Sequence, residues 1–459
     1  MTQFIPNTVR IMLLSSLCLI VSNDALARPL PAPKWTVAVG KDVGPITTAG
    51  DYLLYGTTSQ DQKVAEFHCR HLHTGKLQWK YKSPRLKQNW LDRPRNAIRS
   101  KALVKKHRVV CYSNRAEILC FDLMGLANGD DGEPEDQFHT GTSDLIWSMN
   151  LREMLGVFKR DSAEYGMPPI NPLIFNSLVV CPTGNSSTLG IQRFYKGLLT
   201  VPSPQAPALV GIRLEDGELI WESNAPYNNL IKSASASPLI IQHGSSSNLT
   251  RELLFPAGDG CLYRINPESG KTTWNSSEEN LLYTEQAPVD CGETIAVIAR
   301  APHSLPKSDV NTFIAGFAKF DLQESDTPLK PKWKLTFPQF SGAVARAFSN
   351  NGTLYVLCES GELYAIQSTS GEVLSKKSLG DAGNGYVELA HYKNMLFIPE
   401  EFNLVCAEMK QTLPIIARYD WKCSQEGQLH ISGDKLITGG TGELSCYELN
   451  RLGVHIGDQ

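Results

Sequence analysis

The segment Cys69-Arg70-His71-Leu72-His73-Thr74-Gly75-Lys76-Leu77-Gln78-Trp79 decides the fold, because the sequence returns to its pattern in the same register. It recurs as Gly211-Ile212-Arg213-Leu214-Glu215-Asp216-Gly217-Glu218-Leu219-Ile220-Trp221 and as Arg264-Ile265-Asn266-Pro267-Glu268-Ser269-Gly270-Lys271-Thr272-Thr273-Trp274. In each copy a strand runs into polar residues, turns on a glycine that can take φ > 0, and leaves on a second strand with Trp four residues after the glycine. A diverged copy spans Gly361 to Ser375, with Ser375 at the Trp position. Two copies carry insertions in the turn: Ile118 to Asp122 leads to Trp147, and Ala318 to Asp321 leads to Trp333. Leu404 to Glu408 and Leu444 to Glu448 bring the hairpins to eight.

Short apolar runs precede most hairpins, among them Tyr52 to Tyr55, Arg108 to Tyr112, Leu178 to Cys181, Ile295 to Ile298, Leu354 to Leu357, Met395 to Ile398 and Lys435 to Thr438. Sheets of four strands repeated at this period predict an all-β, eight-bladed β-propeller of antiparallel blades, a ring with only short, protected edges. The last hairpin lacks a Trp-bearing outer strand, while Lys34 to Val39 has no hairpin of its own. The N- and C-terminal strands are therefore expected to complete one blade together, with Trp35 on its outer strand.

Residues Ile11 to Val21 form an apolar run behind Arg10, and Ala25-Leu26-Ala27 gives a small-x-small exit. This is the pattern of a secretory signal peptide over residues 1–27, cleaved after Ala27. The remaining 28–459 read as a single propeller domain, with insertions at about 123–144 and 151–207. Removing 27 of 459 residues leaves 432, or 54 for each of eight blades. No later segment reaches the roughly 20 apolar residues of a membrane-spanning helix. Forty-four Lys plus Arg stand against 47 Asp plus Glu, a net charge of -3, so no excess positive field favours nucleic acid. The expected location is outside the cytoplasm, periplasmic or extracellular.

The repeats resemble the PQQ-type repeats of the quinoprotein alcohol dehydrogenase-like superfamily, whose pattern is similar to Tyr-Ala-Leu-Asp-Ala-x-Thr-Gly-x-x-x-Trp. The resemblance covers nearly all of the chain after residue 27. It implies that each Trp is a packing device docked on a neighbouring blade. Large buried aromatic surface with one indole donor suits that role for Trp35, Trp79, Trp147, Trp221, Trp274 and Trp333. Cys69, Cys120, Cys406 and Cys446 fall where the family has a small Ala, and such thiols behave as small hydrophobes. Cys111 and Cys120, on adjacent strands, form the one disulfide candidate.

Family members that oxidise alcohols or sugars hold pyrroloquinoline quinone with Ca²⁺ at the ring axis, and the large alcohol dehydrogenases place an adjacent Cys-Cys pair beside it. This sequence has no adjacent cysteines, which argues against PQQ. It also lacks Gly-x-Ser-x-Gly, Walker, His-Glu-x-x-His and Cys-x-x-Cys signatures. The expected function is that of an exported, non-enzymatic binding or scaffold module, similar in architecture to propeller scaffolds of bacterial outer-membrane assembly. Its partner would be a protein or a small ligand. The alternative is a divergent PQQ-dependent oxidoreductase.

Three local features invite chemistry. The acidic insertion after Asp122 offers Asn128, Asp130, Glu133 and Asp136 as oxygen ligands for Ca²⁺, against a plain solvated loop. His68, Cys69, His71 and His73 invite a metal reading, although the turn at His73 should make them diverge. A short helix over Leu151 to Phe158 and a long loop from Pro182 to Pro207 mark one sector as a candidate for specificity. Asn185, Asn248, Asn275 and Asn351 begin Asn-x-Ser/Thr triplets.

Overall fold

The computed structural model describes residues 27–453 except 41, 62–63, 84–96, 131, 133–139, 160–169, 189–199, 227–229, 231–232, 244–249, 277–285, 301–311, 320–329, 338–343, 359, 380–388, 401–402, 422–426 and 441. Eight antiparallel sheets form the blades of a propeller. From axis to rim, blade 1 comprises Thr47–Ala49, Tyr52–Thr58, Ala65–His71 and Leu77–Ser83. Blade 2 comprises Leu103–Lys105, Arg108–Tyr112, Glu117–Asp122 and Leu145–Asn150. Blade 3 comprises Leu173–Phe175, Leu178–Pro182, Leu209–Arg213 and Leu219–Ser223, and blade 4 Leu239–His243, Thr250–Pro256, Leu262–Ile265 and Thr272–Asn275. Blade 5 runs Val289–Asp290, Thr294–Arg300, Thr312–Ala318 and Trp333–Thr336; blade 6 runs Val344–Asn350, Thr353–Cys358, Glu362–Gln367 and Val373–Ser378. Blade 7 has Ala390–Tyr392, Met395–Pro399, Asn403–Glu408 and Ile415–Asp420. Blade 8 takes Gln428–Ser432, Lys435–Gly440 and Glu443–Glu448 from the C-terminal end of the chain and its outer strand, Trp35–Ala38, from the N-terminal end.

The eight-bladed ring and its closure agree with the sequence reading, Trp35 pairing antiparallel with Cys446. In blade 5 the strand before the turn is Thr312–Ala318, earlier than the expected 318–321, and Trp333 pairs with Gly316. The apolar runs named from sequence are the second strands of their blades. The innermost strands, several of only three residues, carry too little pattern to be read.

Six hairpins share a bulge one residue before the Trp position, at Gln78, Ile146, Ile220, Thr273, Leu374 and Ile416. A bulge re-aims the following side chain and sharpens the local twist. At Trp79, Trp147 and Trp221 the indole that follows the bulge lies across the seam on the next blade. Trp35, Trp79, Trp147, Trp221 and Trp333 donate Nε1–H to the carbonyls of Leu72, Leu123, Leu214, Pro267 and Ser368, at 2.7–3.0 Å. Each acceptor lies in the next blade's hairpin turn. The same turns present a glycine at positive φ to the indole face: a Cβ on Gly75, Gly125, Gly217, Gly270 or Gly371 would come within 2.3–2.8 Å of it. The repeated glycine therefore does two things, turning its own hairpin and seating the preceding blade's Trp.

Blade 6 breaks the pattern on both sides of its seam at once. Ser375 replaces Trp, and the seat on blade 7 is Leu413, a non-glycine at φ +48° and fully buried. Its side chain packs among Leu363, Ala365 and Ala407, while Ser375 Oγ still reaches Thr412 O at 3.2 Å. Blade 7 has Ala417 at the Trp position, and Leu449 and Leu452 of the final 3-10 turn share its cluster. Tyr419 donates to Leu452 O there. Trp274 is half-buried against Arg264, and the turn that would face it falls outside the described residues.

The closing seam between blades 8 and 1 holds a buried polar chain beside an apolar cluster of Val39, Val43, Ile46, Ile437 and Leu444. Arg70 Nε donates to the Tyr55 hydroxyl at 2.8 Å, that hydroxyl bonds His68 Nδ1 at 3.0 Å, and His68 Nε2 bonds Glu66 at 2.9 Å. Arg70 also donates to Gly75 O, on the turn that seats Trp35. Neutral His68 protonated on Nε2 satisfies every member. Burial is the main cause that holds the His68 pKa below its ordinary value, with Arg70 and Lys80 opposing a second charge and Glu66 favouring one. Tyr55 is pushed up to about 12, chiefly by burial. Burial also raises Glu66, but His68 and Lys80 outweigh it and leave its pKa low.

Two predictions follow from the seams. Trp221→Ala should cost about 3–5 kcal/mol, the range for emptying a large aromatic site. Gly270→Ala alone should incur both left-handed backbone strain of about 1–2 kcal/mol and a clash with Trp221. In the double variant the clash vanishes, so denaturant unfolding should give a total below the sum of the two single effects; strict additivity would refute the seat. For His68, the unfolded chain binds the proton as pH falls through about 6.5 while the folded protein resists it, so stability rises with pH across that range. The drop in unfolding midpoint from pH 7.5 to 5.5 should be smaller in His68→Gln, and equal slopes would remove His68 as the cause.

Candidate functional site

The connections between blades, and those between second and third strands, emerge on one face of the ring; the Trp-seating turns emerge on the other. On the first face the segment Thr183 to Thr188 leaves the second strand of blade 3 and is buried, although nearly every residue is polar. Polar backbone at that depth must be hydrogen-bonded, and Asn185 is the hub. Its side chain accepts from Phe158 N at 3.1 Å and donates to Ser203 O at 2.9 Å. Its carbonyl accepts from Ala234 N, and Gly184 N donates back to Ala234 O, both at 3.0 Å.

Neighbouring groups extend the network across three blades. Thr183 Oγ1 donates to Pro207 O at 2.6 Å, and the Tyr112 hydroxyl of blade 2 donates to Thr183 O at 2.7 Å. Burial lifts the Tyr112 pKa well above its ordinary value, so it serves as a fixed donor. Ser186 N donates to Phe158 O at 2.8 Å, and Ser233 Oγ to Gly184 O at 3.4 Å. Lys159 Nζ lies 4.7 Å from the Tyr112 ring centroid and within 3.4 Å of the Ser113 and Asn114 carbonyls. The result is a rigid deck over blades 2, 3 and 4.

The helix Leu151–Leu155 borders the deck, capped by Asn150 accepting from Arg152 N and Glu153 N and ended by left-handed Gly156. It presents Met154, 59% exposed, beside exposed Glu153. Pro202 and Gln205 are exposed on the same sector. Met is polarizable and adaptable, and is over-used at binding surfaces. The helix and the loop are the stretches singled out from sequence, which gave no sign that Asn185 joins them. The run Thr183-Gly184-Asn185-Ser186-Ser187-Thr188 has no apolar period, and only its density of short hydrogen-bonding side chains after a strand signals it.

The other sequence candidates do not gather here. Cys69 faces the Trp79 cluster of blade 1, while His68 faces blade 8 from the opposite side of the sheet. His73 turns to Asp51 at 3.0 Å, with its ring 5.7 Å from that of His71. Among the described residues no group of three or more His, Cys, Asp or Glu could hold a metal. In the acidic insertion, Asn128 and Asp130 are exposed, and Glu133 and Asp136 lie outside the described residues.

Cys111 and Cys120 face opposite sides of blade 2, and none of the described cysteines is in a disulfide. Burial pushes the thiols of Cys69 and Cys120 up to about 12 and raises Cys111 and Cys181 as well, which keeps them protonated and unreactive. Of the Asn-x-Ser/Thr triplets, Asn185 is buried at the hub, Asn275 and Asn351 are exposed, and Asn248 lies outside the described residues.

No family model and no curated protein sequence matches the chain. Solved structures do. BamB from Moraxella catarrhalis is 12% identical with a TM-score of 0.56, over 93% of this chain and 99% of that one. Saccharomyces cerevisiae Sqt1 is 11% identical with a TM-score of 0.54, over 90% and 97%. The C-terminal WD40 domain of Sif2 is 8% identical with a TM-score of 0.53, over 92% and 98%. At such identities the likeness shows the propeller fold alone.

Proposed function

We propose that the protein is an exported, non-enzymatic binding module whose partner, a protein, sits on the deck over blades 2 to 4. The observation that carries this reading is a hydrogen-bonded base that joins three blades on one face and holds Met154, Pro202 and Gln205 outward. A regular ring needs no such structure for its own closure. The buried thiols are held protonated and His68 is spent within a seam, so these groups serve packing rather than chemistry. The likeness of fold to BamB and to WD40 domains accords with a scaffold role. Export is the reading of the signal-peptide pattern over residues 1–27.

The test is site-specific photo-crosslinking in cells that make the protein. A photoreactive residue at Met154 or Gln205 should give an adduct of one defined mass, and one at Glu268, in a turn on the opposite face, should not. Identical adducts from both faces, or none from the deck, would refute the assignment.

A further inference from the structure

Among the described residues, two of the eight blades carry a fifth strand supplied by the chain itself. Thr140–Gly141 pairs antiparallel with Lys82 and Tyr81 on the rim of blade 1. Arg28–Pro29 pairs in parallel with Tyr419 and Asp420 on the rim of blade 7. Counted from the Trp positions, Trp79 and Ala417, both added strands use the residues two and three places further on. That pair of positions is the part of the rim that lies beyond the bulge, where an outer strand leaves backbone donors and acceptors open.

On blade 3 the equivalent positions are Ser223 and Asn224, and they line an open cleft of about 580 Å³ between blades 3 and 4. The matching station between blades 7 and 8 holds a cleft of about 550 Å³, and one wall of it is the extended chain Pro29 to Pro33 itself. The two clefts correspond at three lining positions: Asn224 stands where Asp420 does, Ala225 where Trp421 does, and Tyr263, one place before the residue facing Trp274, where Ser445 does. The Asn224 amide oxygen has no hydrogen-bond partner among the described residues. Tyr263 is fixed by donating to Asp259 at 2.7 Å. Glu222 and Lys271, both exposed, flank the cleft with opposite charges.

We propose that this cleft is a docking site for an extended peptide of a partner protein, which adds to the rim of blade 3 as a fifth strand at Ser223 and Asn224. Main-chain pairing supplies the affinity and the cleft side chains select the sequence, as in other cases of strand addition. The site lies on the rim, apart from the deck, and extends the binding-module reading without depending on it: loss of the deck adducts would leave the rim site standing, and the reverse.

The probe is a peptide of residues Arg28 to Lys34, the segment that does this on blade 7, carrying Pro29→Cys activated as a mixed disulfide. It is offered to the full-length protein bearing Asn224→Cys, with Cys261→Ser to silence the nearby half-buried thiol. Ser378→Cys, at the same station on blade 6, is the control. Trapping at position 224 at least tenfold faster than at 378, with unchanged melting curves, is the expected result. Equal rates, or Asn224→Cys protein that links to a second copy of itself faster than to the peptide, would overturn the proposal. Should Asn224→Cys melt early, the same comparison is made with Glu222→Cys and Lys376→Cys and read in the same way.

Discussion

The structure depends on an indole seated on a glycine of the next blade, an arrangement that the described residues show at five of the eight seams. A propeller blade is too small to bury its own faces, so stability comes from the contact between neighbours. At Trp221 that contact is specified by three coupled features: a bulge that aims the Trp, a turn carbonyl that takes its N–H, and a glycine without the Cβ that would block it. The seam between blades 6 and 7 shows that volume is what is being conserved. Where the indole shrinks to Ser375, the seat grows to Leu413, which accepts a left-handed backbone to fill the space. Cores tolerate such paired exchanges when the total volume is kept.

The polar interior follows from the same economy. Several buried carboxylates are paired within their own blade: Glu66 with His68 and Lys80, Glu117 with Ser113 and Arg115, Glu400 with Arg418. These pairs fix register rather than add large net stability, since desolvation offsets most of their attraction. The deck differs in kind, because its donors and acceptors join three blades and their connections instead of two strands.

Much of the ring was legible in the sequence because its signals are local. Glycine and Trp four residues apart, the apolar second strands and the unpaired ends near Lys34 and Glu448 are all visible within a dozen residues. What stayed hidden was long-range. Nothing near Trp221 says that its seat is Gly270, and Ser375 reads as decay until Leu413 is seen against it. Cys111 and Cys120 looked like partners because strand pairing sets them close, but their registers, opposite Leu119 and Val110, send them to opposite faces. The candidate sector could be placed by its insertions, whereas Asn185 as hub could not, since hydrogen bonds between loops leave no period in the sequence.

The ring is held by these seats, the closing one included, where Trp35 rests on Gly75 and bonds Leu72. Hydrogen exchange of Trp35→Ala, compared with the unaltered protein, tests this. Protection should be lost on both sides of the closing seam, in Lys435–Gly440, Glu443–Glu448 and Tyr52–Thr58, with the second and third strands of blade 4 unchanged. Exchange that rises only at the N-terminal strand, or equally in all eight blades, would contradict it.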